Sequence, residues 1–226
     1  MGKVLGDVLG LAAGVAISPL PIIAVILVLV TPRGRLNGPL FTIGWIVGLS
    51  AVGAVMLAIG GSGGASTGHQ QPAAWVGGLK TGLGLLLVLF GVRQWRRRPT
   101  AATEAQLPKW MAAIDRFTPI KITGLGLALS AANVKNASLT IAAASSISAA
   151  GLPVGQQVAS LAVFVVIGSL GLLAPLAVLL FAGERATSVL SSWKDWTARH
   201  NAAVMAALFF VLGAKLLGDG ISILVS

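Results

Sequence analysis

Lys135 is the residue whose chemistry most demands an explanation. It stands near the middle of the apolar run Ile120–Ala149, with Ser130 and Asn133 before it and Asn136 directly after. A lysine head group at the centre of a membrane-crossing helix costs about 2.5–3.5 kcal/mol on insertion scales, so it persists where it faces a cavity or a partner. The two asparagine amides add donors and acceptors beside it. Such a cluster suits an anionic group: carboxylate, phosphate or sulfate. The bland alternative is a structural lysine paired with a carboxylate. Asp219 is the acidic residue within the apolar runs that this reading singles out as the partner.

A second unusual feature lies in the run Val4–Val30, where Ser18-Pro19-Leu20-Pro21 interrupts the helical pattern. Each proline lacks an N–H and crowds the carbonyl one turn back, so carbonyls near the middle of the helix lose their donors. Freed backbone at membrane depth is tolerated only where protein or a polar cavity covers it. Two readings stand: a kink of the kind membrane helices accept, or a break that opens a site. Position favours the second. Gly14-Val15-Ala16-Ile17-Ser18 aligns with Gly126-Leu127-Ala128-Leu129-Ser130, so the proline motif and the Lys135 cluster occupy equivalent places. The candidate substrate site is therefore Ser18, Pro19, Pro21, Ser130, Asn133, Lys135 and Asn136.

Other polar groups carry less. Lys215 and Asp219 are one helical turn apart and pair along the helix, a mainly structural arrangement with proton coupling as a secondary role. Lys80 begins its helix and can reach the interface. His69 and His200 stand in different loops without neighbouring carboxylates, so no metal site is expected. The sequence has no nucleophile–base pair, phosphate-binding glycine loop or paired carboxylates, and the reading is a non-enzyme without cofactors. Cysteine is absent, which removes disulfides and thiol redox chemistry.

The elements that must position these groups are membrane spans. Of 226 residues, 56% are hydrophobic and 10% charged, against roughly 25% charged in soluble domains. Runs of about 20 apolar residues match a bilayer core of roughly 30 Å. Six are expected, at Val4–Val30, Pro39–Ile59, Ala74–Trp95, Ile120–Ala149, Gln156–Ala182 and Asn201–Leu224. The net charge of +10 is topological and does not point to nucleic acid. Arg33 and Arg35, then Arg93 to Lys121, then Arg185, Lys194 and Arg199 occupy every second connection. Those connections face the cytoplasm, and both termini face outward.

The match of Leu89-Phe90-Gly91-Val92-Arg93 with Val211-Leu212-Gly213-Ala214-Lys215 extends the internal alignment to the last span of each half. An odd number of spans per half makes the second copy enter the membrane inverted, a plan that recurs in transporters. The expected fold is a single all-α membrane domain over 1–226. Repeat 1 covers 1–98, a basic connection 99–119, and repeat 2 120–226, with the first and fourth helices interrupted. Trp75 and Trp95 mark the ends of the third span as interfacial anchors. Two amphipathic stretches fit short helices lying in the headgroup layer or packed on the base of the bundle. They are Trp110, Met111, Ile114 and Phe117, opposite Lys109, Asp115 and Arg116, and Val189, Trp193 and Trp196. Small-residue faces on several spans permit a homodimer.

The run Ile17 to Leu27, with Thr31-Pro32-Arg33, Asn37-Gly38-Pro39 and Gly44-Trp45, resembles the start of the mycobacterial glycolipid-addressing proteins. These include the sulfolipid-addressing protein and belong to the LysE-type transporter superfamily. Asn133-Val134-Lys135-Asn136 resembles that family's Asn-Pro-Lys-Asn motif, with Val134 in place of proline. Leu212 to Gly220 resembles its C-terminal signature, and Pro175, Trp193, Trp196 and Asn201 also fit. The resemblance implies movement of an anionic lipid or glycolipid across the inner membrane, with membrane lipids and lipid-export machinery as partners. Two other readings remain open. One is a LysE-like exporter of a small anionic or zwitterionic solute, and the other a non-transporting scaffold.

Overall fold

The computed structural model describes residues 2–62, 74–96, 113–114 and 116–225. Helix α1 (Gly2–Ala16) stops where two prolines approach, and Ile17 and Ser18 leave the helical path. The chain resumes as α2 (Pro19–Leu29), with proline at the first helical position, where its missing N–H costs nothing. The two axes meet at 52°. After a short turn, α3 (Gly34–Ser62) begins ahead of Pro39, the expected start, and carries that proline near its first turns. Helix α4 (Ala74–Arg96) follows.

The expected fourth span is built in pieces. Thr118 caps α5 (Pro119–Leu127) by accepting from the Lys121 N–H at 3.4 Å. A π-helical turn covers Ala128–Ala132, Asn133 is extended, and α6 (Val134–Ala149) completes the run. Gly151 turns the chain at a positive φ of 62°, where a side chain would be strained. Helix α7 (Val154–Phe181) then crosses back. Gly183 makes a second such turn, into a short 3-10 segment (Gly183–Arg185) and α8 (Ala186–Val225).

Four of these helices are long and apolar enough to cross a membrane, and the bent α1–α2 pair makes a fifth. Exposed Leu89, Ile120, Val166 and Val211 present apolar surface outward, while Phe41, Trp45 and Phe164 fill the interior. Helix α1 packs on α6 and α7, α3 on α5, α6 and α7, and α4 runs along α8. Glycines set how closely these pairs approach. A Cβ on Gly126 would strike the Phe41 carbonyl, one on Gly44 the Thr123 carbonyl, and one on Gly171 the Ala16 carbonyl. Gly84 and Gly213 bring α4 and α8 together in the same way, as small residues do between membrane helices.

One of the two amphipathic stretches differs from the expectation of a separate short helix. Val189, Trp193 and Trp196 belong to α8 itself, whose 40 residues extend about 60 Å at 1.5 Å per residue. That is about twice the bilayer core, so the early turns of α8 continue the last span beyond it. In the other stretch, Ile114 is buried in the core with Phe117 packed against it, which favours packing on the bundle. Lys109, Trp110, Met111 and Asp115 lie outside the described residues, as does His69.

Candidate substrate site at the helix breaks

The site follows from which carbonyls the two prolines strip. In an unbroken helix the N–H of residue 19 would bond Val15 and that of residue 21 would bond Ile17. Pro19 and Pro21 supply neither. Ser18 Oγ instead donates to the Val15 carbonyl at 2.7 Å, and Lys135 Nζ donates to the Ile17 carbonyl at 3.1 Å. Lys135 Nζ also donates to Ser18 Oγ at 2.8 Å. Both orphaned acceptors are thus filled, one by a neighbour in sequence and the other from the opposite half of the chain.

The partner break is organised by its asparagines. Asn133 caps α6, its Oδ1 accepting from the Lys135 and Asn136 backbone N–H groups at 3.1 and 3.5 Å. Asn136 Nδ2 donates to the Leu129 carbonyl in the π-helical turn at 3.0 Å, and its Oδ1 lies 2.9 Å from Ser18 Oγ. The single Ser18 proton serves either Val15 or Asn136 at one time, so the cluster has one acceptor to spare. Ser18 and Lys135 are each 2% exposed and Asn136 is fully buried. Among the described residues no carboxylate lies within ion-pair distance of Lys135.

Ser18, Asn133, Lys135 and Asn136 therefore meet, and Pro19 and Pro21 create the acceptors that hold them there. Ser130 does not join them. Its hydroxyl donates to Leu127 at 2.9 Å, and it sits against Gly48 of α3. Asp219 does not pair with Lys135 either. It accepts from Lys215 at 2.9 Å, and Lys215 reaches Asp7 on α1 at 2.8 Å. Lys80, expected at the interface, is 5% exposed and lies 4.0 Å from Asp219. Asp7 is the functional candidate that the sequence reading missed. It is the fourth residue of the first apolar run, and its position within the run was the available signal.

Beside the break in α1–α2 opens an apolar cleft of about 640 Å³, lined by Ile17, Ile22, Gly171, Pro175, Trp193 and Trp196 among others. Its volume falls within the range of small-molecule sites. Ile17 belongs to both features: its carbonyl holds Lys135 and its half-exposed side chain lines the cleft. A second apolar groove, about 720 Å³, runs between α3 and α7 from Ile46 and Leu57 to Val154 and Val166. A buried cation and an apolar cleft thus adjoin at Ile17.

No curated protein and no solved structure matches the chain. A family model described as Sap, sulfolipid-1-addressing protein, matches residues 8–222, which takes in both breaks, the apolar cleft and the last span. By that near full-length match, the chain belongs to the Sap, sulfolipid-1-addressing protein, family.

Proposed function

We propose that this protein is a six-span translocator that moves an envelope lipid or glycolipid with an anionic group across the inner membrane. The observation that carries the reading is the double role of Ile17, which joins a buried lysine to an apolar cleft. The lipid tail occupies the cleft against Trp193 and Trp196. The anionic head takes over Lys135 from the Ile17 carbonyl and Ser18 hydroxyl when α1 and α6 part. Membership of a sulfolipid-addressing family supports a lipid as cargo.

The inverted three-helix plan is part of the proposal, and helix packing supports it. Exchanging α1–α2 with α5–α6, α3 with α7, and α4 with α8 carries several helix pairs onto one another, although the α1–α6 and α7–α8 pairs have no α2–α5 or α3–α4 counterpart of comparable extent. The α1–α7 pair becomes α5–α3, the α2–α8 pair becomes α6–α4, and α4–α8 maps onto itself. With the basic connections cytoplasmic, the Trp193 cleft lies toward the inner leaflet and the α3–α7 groove toward the outer. An apolar cleft beside the break and an apolar groove at a different depth give a lipid a surface in each leaflet. A small-solute exporter would instead need a polar vestibule, and the apolar lining beside the break favours lipid.

Reconstituted vesicles test the reading. Purified protein is expected to move a fluorescent anionic glycolipid between leaflets without admitting small carboxylates or amino acids. Solute uptake without lipid movement would select the LysE-like exporter. Inactivity toward both, with lipid export lost in cells lacking the protein, would select the scaffold.

A further inference from the structure

The motifs Asn37-Gly38-Pro39 and Gly44-Trp45 take no part in the cluster at the helix breaks, yet α3 carries an anomaly at both. Asn37 is 4% exposed and Trp45 is fully buried. Asn37 Oδ1 and Trp45 Nε1 are the buried side-chain atoms left without a hydrogen-bond partner among the described residues. A buried donor or acceptor without a partner lowers stability, whereas an apolar side chain of the same shape does not. Phe41 and Leu49, on the same ridge of α3, show that apolar residues fill this interior. Each polar exception therefore needs a partner that the folded chain does not itself supply.

Placement narrows what that partner is. Asn37, Phe41, Trp45 and Leu49 follow at i,i+4 spacing along α3, and Asn37 and Trp45 stand eight residues apart, about 12 Å of helix. The Asn37 end adjoins the apolar cleft. Gly38 packs against Leu29 and Leu176, and Leu176 follows Pro175 of the cleft lining. The Trp45 end adjoins the second break. A Cβ on Gly126 of α5 would reach the Trp45 backbone nitrogen, and Gly48 faces Ser130 in the π-helical turn. The ridge thus leads from the cleft toward the break. Its two atoms are complementary, since the amide oxygen accepts and the indole N–H donates. A sulfate or phosphate oxygen can satisfy Trp45 but, once ionised, has no proton for Asn37. Hydroxyl groups satisfy both. One buried water cannot serve two atoms so far apart.

We propose that Asn37 and Trp45 bind hydroxyl groups of the cargo's head, Asn37 Oδ1 accepting from one and Trp45 Nε1 donating to another. The protein then selects a polyhydroxylated head as well as an anionic one. The inference rests on the translocation reading and concerns the part of the head that Lys135 does not hold.

The test uses two soluble amphiphiles with the same tail and anion, octyl glucoside sulfate and octyl sulfate, titrated into the full-length protein in phosphatidylcholine nanodiscs. The sugar sulfate should bind about tenfold more tightly, as for two added hydrogen bonds. Asn37→Leu and Trp45→Phe should each cut that preference to about threefold, with octyl sulfate binding unchanged. With isotope-labelled indole nitrogens, the Trp45 N–H resonance is the one missing from Trp45→Phe. It should move on adding octyl glucoside sulfate and stay in place with octyl sulfate. Equal affinity for the two probes overturns the proposal. So does a Trp45 resonance that neither probe moves, the result for an indole bonded to water alone. In both cases the translocation reading stands as long as binding is lost in Lys135→Met. Binding of neither probe overturns both.

Discussion

Replacing Lys135 with methionine separates a lysine kept for stability from one kept for cargo. The substitution removes the donor to the Ile17 carbonyl, which Pro21 has already deprived of its backbone partner. Leaving that acceptor unsatisfied costs about 1–3 kcal/mol. Against this, removing a lysine head group from mid-span recovers about 2.5–3.5 kcal/mol. The unbranched methionine side chain refills much of the space. The two terms nearly cancel, so Lys135→Met should insert normally and unfold within about 2 kcal/mol of the parent protein. Ser18→Ala is predicted to be worse despite its smaller change. It strips Val15 of its donor and Lys135 of an acceptor, for a loss of about 2–4 kcal/mol. Denaturant unfolding in matched detergent micelles, followed by leaflet exchange of an anionic glycolipid, reads both quantities. The expected result is a stable Lys135→Met protein that moves no lipid. A loss above about 4 kcal/mol would make the lysine a structural pin, and retained lipid movement would refute the site assignment.

Other consequences can be checked separately. Pro21→Ala returns an N–H to the Ile17 carbonyl, so the 52° bend should relax, with spin-label distances across the break lengthening and lipid movement falling. Gly126→Ala drives a methyl into the Phe41 backbone and should cost about 1–3 kcal/mol. Gly124→Ala, where the new methyl meets nothing within 4 Å, should be neutral or stabilising by about 0.5–1 kcal/mol in the same unfolding assay. Trp193→Ala combined with Trp196→Ala should leave stability nearly unchanged. It should weaken lipid binding about fivefold or more by fluorescence titration, equivalent to about 1 kcal/mol.

Much of this arrangement was legible in the residues. Proline at 19 and 21 marks the break without any structure, because a missing N–H acts wherever the chain is helical. The alignment of Ser18 with Ser130 pointed to two equivalent breaks, and Ser18 does meet Lys135 and Asn136. The same alignment misled at Ser130. The chain between Leu127 and Asn133 winds as a π-helical turn, which rotates side chains away from α-helical register, and Ser130 faces α3. No residue type announces such a turn. Asp7 was overlooked because a carboxylate near the start of a span reads as interfacial until α8 brings Lys215 across to it. Trp193 and Trp196 have amphipathic spacing, but spacing does not reveal that their helix continues unbroken into the last span. Their place beside Pro175 and Ile17 comes from tertiary packing.

The central claim, that a lipid is held where the broken helix meets the Trp193 cleft, is tested most directly by photolabelling. An anionic glycolipid carrying a diazirine in its acyl chain is incubated with the full-length protein, illuminated, and its adducts mapped by mass spectrometry. The account predicts labelling of the peptides that carry Ile17 to Ile22, Gly171 to Pro175 and Trp193 to Thr197, suppressed by excess unlabelled lipid. Label spread evenly over exposed residues such as Leu89, Val166 and Val211, and unaffected by competitor, would contradict it.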